Sequence, residues 1–148
     1  MVELKISSQA FENNGVIPVK YTCDGDDVNP PLNIEGIPEK AESLVLIVDD
    51  PDAPIQTWVH WVVWNIPPTG RIEEKSVPGI EGMNSFKRRS YGGPCPPFGT
   101  HRYFFKVYVS DTKLDLNPNS SKKDVERAIE GHVLAKGEII ALYSRKRF

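Results

Sequence analysis

Three short stretches of this 148-residue chain hold nearly all the side chains that could perform chemistry. The first is Asp49-Asp50-Pro51-Asp52-Ala53-Pro54, directly after the apolar run Ser43 to Val48. Carboxylates at the end of a buried strand are costly unless they meet solvent, a partner or a ligand. Asp49 and Asp52 read as a solvated acidic turn whose prolines fix the chain. Asp50 differs: it shares strand parity with Leu44, Leu46 and Val48, so it points into a pocket wall when those three face the core. The second stretch carries His60, which period two places on one face with Val62, Trp64 and Ile66, opposite Trp61 and Val63. Alone, such a histidine is a core residue with one satisfied partner, and Trp58 and Trp61 read as packing.

The third stretch runs from Tyr91 to Tyr103, Tyr-Gly-Gly-Pro-Cys-Pro-Pro-Phe-Gly-Thr-His-Arg-Tyr. Its paired glycines allow close backbone approach, so that N–H groups can point into a concavity, while the prolines lock the rim. His101 and Tyr103 share parity at the mouth of the following strand. Two imidazoles, a carboxylate, a phenol and a glycine loop make a site of oxyanion size. A histidine beside a carboxylate retains its proton, and imidazolium, Tyr O–H and backbone N–H groups suit a phosphate or carboxylate. Two other chemistries fit the same inventory. Asp50, His60 and His101 form a two-histidine, one-carboxylate metal set, although close metal-type spacings are absent. Cys95 could serve as a thiolate activated by His101, against which its place between Pro94 and Pro96 counts. Neither a P-loop, nor G-x-G-x-x-G, nor G-x-S-x-G occurs.

The elements that must position these groups are mostly strands. Val2, Leu4 and Ile6 alternate with polar neighbours, and Val16 to Thr22 is β-rich after an Asn-Asn-Gly turn signal. Ser43 to Val48 suits a buried strand, Val59 to Ile66 and Arg102 to Val109 are aromatic and β-branched, and Ile139 to Tyr143 suits a closing strand. One stretch has helical period: Val125, Ala128, Ile129, His132 and Val133 share a face, with a capping-box-like Ser121 and Asp124 ahead of it. On that pattern His132 is a satisfied core histidine, and Gly131 weakens the helix by about 1 kcal/mol. No repeat, linker or domain boundary interrupts residues 1–148, which read as one domain.

Composition narrows the function. A net charge of -2 argues against bulk nucleic-acid binding and against a polybasic membrane-surface protein. Lys87-Arg88-Arg89 reads as a solvated run, with the alternative that, near the pocket, it raises the local concentration of anions, and Arg145-Lys146-Arg147 reads as a frayed tail. The amino-terminal stretch lacks a secretory pattern and no apolar run spans a bilayer, so a soluble, cytoplasmic protein without a transmembrane segment is expected. Cys23 and Cys95 are the two cysteines; an oxidising compartment would let them pair, but nothing in the sequence places them together.

The same residues resemble the phosphatidylethanolamine-binding protein family, also called Raf kinase inhibitor-like proteins. The resemblance rests on Asp50-Pro51-Asp52-Ala53-Pro54, Trp58, His60, Gly93-x-x-Pro96-Pro97 and His101-Arg102-Tyr103. It extends over nearly the whole chain, to His132-Val133-Leu134-Ala135 and Leu142-Tyr143. The Tyr-Gly-Gly-Pro-Cys-Pro-Pro form resembles the compact prokaryotic branch. This resemblance implies a mainly β fold, an antiparallel β-sandwich-like core with a small peripheral sheet and one or two short helices. It implies a pocket for a small anionic or phosphoryl ligand, without cofactor, metal or turnover. Carried over position by position, the ligand-binding set is Asp50, Asp52, His60, Gly93, Cys95, Pro96, His101 and Tyr103, with Pro97 in the loop. A serine protease or kinase is the alternative partner, a homodimer is compatible with the family, and a hydrolase using His60, His101 and Asp50 is the second alternative. Cys95 stands where many eukaryotic members have glycine. The chain also ends soon after its last strand, without the carboxy-terminal helix that partly covers the eukaryotic pocket.

Overall fold

The computed structural model describes residues 2–145. Its strands are β1 (Val2–Glu3), β2 (Lys5–Ser7), β3 (Gly15–Val16), β4 (Leu32–Glu35), β5 (Ser43–Asp50), β6 (Trp58–Ile66), β7 (Arg71–Ile72), β8 (Ile80–Glu81), β9 (His101–Ser110) and β10 (Val133–Tyr143). One helix, α1 (Lys122–Ala128), and a 3-10 turn, Val19–Tyr21, complete the set. A seven-stranded mixed sheet runs in the order β1-β10-β9-β5-β6-β8, with β3 also on β10, and β2-β4-β7 form a small second sheet.

All eight residues of β5 are buried, because β5 pairs on both edges and is covered on both faces. On one face, Leu44, Leu46, Val48, Phe105 and Val107 pack toward Ile6, Leu32, Ile34 and Ile72 of the small sheet. On the other, Val45, Ile47, Val62 and Trp64 are covered by Leu114 and by Val125 and Ile129 from the helical segment. Fully burying Val125 stabilises this docking by about 1.5–3 kcal/mol.

Several expectations need correction. Val16 to Thr22 is not one strand: Pro18 opens a 3-10 turn, and only Gly15–Val16 pairs, parallel to β10. The amino-terminal alternation divides between two sheets, β1 on β10 and β2 on β4. The Asp124 carboxylate accepts from the Ser121 N–H at 2.9 Å and starts α1 as the capping pattern implies. The helix stops early, however, because Gly131 takes a left-handed φ of 78° and redirects the chain into β10. His132 is therefore exposed rather than core, and bonds Asp111 through Nδ1 at 2.7 Å. Among the described residues no helix is long and apolar enough to cross a membrane. Of the basic tail, Arg145 bonds Asp24, while Lys146 and Arg147 lie outside the described residues.

Candidate functional site

The end of β5 carries two adjacent carboxylates whose fates differ. Asp49 is not a solvated turn residue: it is 1% exposed on the α1 side of the sheet. It is neutralised there by Lys106 at 3.1 Å and Lys122 at 2.9 Å. Asp50 points the opposite way, toward the Leu44, Leu46 and Val48 side, as strand alternation requires. It is 3% exposed, its Oδ2 lies 2.6 Å from His101 Nδ1, and its Oδ1 accepts the Asp52 N–H at 2.8 Å. A carboxylate only accepts, so Nδ1 of His101 carries the proton and Nε2 is the free ring nitrogen.

His60 reaches the same place by a backbone irregularity. Val59 pairs with Asp49 and Trp61 with Val48, so β6 has one residue more than β5 between those pairs, and that residue is His60. This β-bulge resets the alternation. Trp61 and Val63 join the Leu44 and Val48 side, whereas Val62 and Trp64 face α1. The simple period that groups His60 with Val62, Trp64 and Ile66 fails here; Ile66 also lies in the larger cluster, past a second bulge. His60 Nδ1 donates to the Gly92 carbonyl at 2.7 Å, and the Gly92 N–H returns a bond to the His60 carbonyl at 3.1 Å. Burial holds the His60 pKa below the ordinary imidazole value, with the Gly92 carbonyl opposing that effect. The ring is thus neutral at pH 7, with its lone pair on Nε2.

Tyr103 stands between the imidazoles. Its ring lies edge-on to His60 at 5.2 Å and stacked on His101 at 6.4 Å. Its hydroxyl is buried and makes no hydrogen bond of standard geometry among the described residues, although the Asp50 carboxylate and the Cys95 backbone lie close enough to act on it. Burial, and then the Asp50 charge, push this phenol well above its ordinary pKa, so it remains a donor.

These groups line a cavity of about 300 Å3. Its wall contains Asp50, His60, Cys95, Pro96, His101 and Tyr103 with the expected loop residue Pro97, and the structure adds Ala53, Pro54, Ile55, Trp58 and Phe86. Two members of the sequence-derived set lie outside it. Asp52 clamps the guanidinium of Arg102 by two bonds of 2.9 Å, which holds its carboxyl below the usual range. Gly93 gives its N–H to Asp27 Oδ1 at 2.7 Å, so that amide is committed to the protein. A Cβ there would meet the Tyr21 carbonyl oxygen at 2.4 Å, so glycine here serves the close packing of two segments. Cys95 is bonded to Cys23, which removes the free thiolate that a nucleophile would require. Among the described residues no three His, Cys, Asp or Glu side chains are grouped to hold a metal ion.

Phe86 and Ile55 are wall residues that sequence reasoning missed. Phe86 is the one built into the site by ring contacts. It packs edge-on to Trp58 at 5.5 Å and to His60 at 5.3 Å. Asn84 positions this loop: its Oδ1 accepts the Phe86 and Arg88 N–H groups, and its amide donates to the His60 and Ser90 carbonyls. An Asn two residues before an aromatic is a turn signal, but nothing local says which wall it completes.

Comparison with known proteins identifies the family and the fold. The model of the family described as phosphatidylethanolamine-binding protein matches residues 7–144. A UPF0098 protein of Pyrococcus horikoshii is 52% identical over 156 residues, covering 98% of this chain and 78% of that protein. One from Methanothermobacter thermautotrophicus is 48% identical, covering 96% and 99%. Among solved structures, a phosphatidylethanolamine-binding protein homologue from Chlamydia trachomatis superimposes with a TM-score of 0.94 at 35% identity, covering 99% of this chain and all of that one. E. coli YbcL, described as a member of the mammalian family, gives 0.90 at 29%, covering 98% and 100%.

Proposed function

The chain belongs to the phosphatidylethanolamine-binding protein family, in its compact prokaryotic form, and from that premise we propose that its cavity binds a small phosphoryl-type anion without making or breaking a bond. The observation that carries the reading is the buried hydroxyl of Tyr103, without a well-formed hydrogen bond, between two imidazoles whose Nδ1 atoms are both anchored. A buried donor without a well-formed hydrogen bond costs up to about 1–3 kcal/mol, part of which a bound oxyanion would recover. His101 supplies a donor through Nε2 when its ring holds both protons. His60 becomes a donor by taking up a proton, which the anion's charge favours. The rest of the wall, Pro54, Trp58, Phe86, Pro96 and Pro97, is apolar and excludes water around the anion. Calorimetry with inorganic phosphate, phosphoethanolamine and acetate tests the reading. Saturable one-to-one phosphate binding, lost in His60→Ala and in His101→Ala, is expected. Binding that survives both substitutions would move the site elsewhere.

One observation favours a second reading, recognition of another protein. Ile55 and Phe98, on the two loops flanking the cavity, are largely exposed, and Ile55 holds a left-handed φ of 76°. A β-branched residue in that conformation is strained, and strained exposed loops are often binding loops. Capture of a protease or kinase that persists in saturating phosphate and is lost in an Ile55→Ser/Phe98→Ser variant would support this role over the first.

A further inference from the structure

The two cysteines of the chain meet at the wall of the cavity. Cys95 lines it, and its Sγ is bonded to that of Cys23, 72 residues away in sequence. The segments carrying them are also held together without that bond. The Cys23 N–H donates to the Pro94 carbonyl at 3.1 Å, and the Gly93 N–H donates to Asp27 at 2.7 Å. The Tyr91 hydroxyl donates to the Tyr21 carbonyl at 2.7 Å. Breaking the disulfide therefore leaves the loop in place with two thiols facing each other, ready to re-form the bond. Both cysteines are half-buried, within reach of a small dithiol.

Reduction has a local consequence for the cavity. Two sulfurs that no longer share a bond must separate to van der Waals contact. Cys95 precedes Pro96 and follows Pro94, which restricts its backbone, so the side chain takes up the movement. On the Cys95 side the open space is the cavity itself. The compact cystine wall is thereby replaced by a thiol side chain that projects into the space a bound anion would occupy.

We propose that Cys23–Cys95 is a reversible redox site coupled to the anion cavity, the oxidised form binding the anion more tightly. This rests on the phosphoryl-anion reading above. The step is a thiol–disulfide exchange with a dithiol reductant. One reductant thiolate attacks Cys23 Sγ, the Cys23–Cys95 bond breaks, and Cys95 Sγ leaves with the electron pair and takes a proton. The second reductant thiol then attacks the mixed disulfide and releases Cys23, which takes the other proton. Two electrons and two protons pass to the protein, and the reductant ends as its own disulfide.

Coupling of this kind is reciprocal. The test measures inorganic phosphate binding by calorimetry to the full chain in oxidised and dithiothreitol-reduced forms. Circular dichroism follows folding, and a thiol assay counts reduced cysteines. The expected result is a Kd at least about fivefold weaker after reduction, with saturating phosphate shifting the dithiothreitol equilibrium toward the disulfide by the same factor. Cys23→Ser, which leaves a lone thiol at Cys95, should bind like the reduced protein. Equal Kd values in the two forms, a Cys23→Ser variant that binds like the oxidised protein, or reduction that unfolds the chain would each overturn the proposal. If the oxidised protein binds no phosphate, the anion reading fails on its own. The coupling is then judged by the His60 and Tyr103 ring resonances: different positions in the two redox forms support it, and identical positions refute it.

Discussion

Replacing Asp50 with asparagine keeps the shape of the side chain and removes its charge, which separates the roles this residue can play. In the structure its Oδ2 bonds His101 Nδ1 at 2.6 Å and its Oδ1 accepts the Asp52 N–H at 2.8 Å. When an anion lies on the other edge of His101, both ring nitrogens face acceptors, and the ring carries two protons and a positive charge. A hydrogen bond with a charged donor contributes about 1.5–3 kcal/mol, a neutral one about 1. Losing the carboxylate therefore costs anion binding about 0.5–2 kcal/mol, a rise in Kd of roughly 2- to 30-fold. The carboxylate also repels the anion directly, by about 2 kcal/mol over ~7 Å at an effective dielectric constant of ~20. The positive ring lies between the two and nearer the anion, so its attraction exceeds that repulsion, and losing the ring's charge outweighs relief of the repulsion. Stability should change by less than about 1 kcal/mol, some 3 °C at this chain length, because an amide can keep a bond while shedding the desolvation of a buried charge. Calorimetric phosphate titration and a thermal scan on the same Asp50→Asn variant decide the matter. Unchanged phosphate affinity with a clearly lowered melting temperature would refute the reasoning and reduce Asp50 to a cap on the 51–54 turn.

Three further outcomes are expected. Tyr103→Phe removes a buried hydroxyl without a well-formed hydrogen bond, so thermal stability should hold or rise, while phosphate affinity falls by about 0.5–1.5 kcal/mol; a stability loss without an affinity loss contradicts this. Gly93→Ala forces a methyl against the Tyr21 carbonyl and the Asp27 carboxylate, each 2.4 Å from the Cβ position, and should cost about 1–3 kcal/mol in denaturant unfolding; a neutral result would show that the two segments yield freely. Burial holds the folded-state pKa of His60 below its ordinary 6.5, so its contribution is intact above that pH. As pH falls from 6.5 the unfolded chain takes the proton first and stability declines toward the lower folded value. Urea unfolding between pH 7.5 and 5.5 should show this slope and a flatter one in His60→Gln, and a slope of opposite sign would contradict it.

The central sheet and the direction of Asp50 were legible because their causes are local. The unbroken run of β5 carries its alternation from Leu44 through Asp50, and the Ser121–Asp124 cap announces α1 within four residues. What escaped depends on contacts distant in sequence or on backbone irregularity. His60 changes face through a bulge that one extra residue in β6 creates, and no period-two reading contains it. Asp49 looked solvent-facing because Lys106 and Lys122, which neutralise it, lie 57 and 73 positions further on. Cys23 meets Cys95 only because the 3-10 turn delivers the 21–27 segment against the glycine loop. His132 left the core because Gly131 ends the helical turn before the apolar period can act on it.

The account stands on an anion held between the two imidazoles, and histidine-ring NMR tests that directly. The chain has three histidines, and His132, exposed beside Asp111, serves as an internal control. In a titration with inorganic phosphate at constant pH and ionic strength, the Nε2 signals of His60 and His101 should shift along one saturating curve while His132 stays fixed. Shifts confined to His132 and surface arginines, with His60 and His101 unmoved at the highest phosphate, would contradict it.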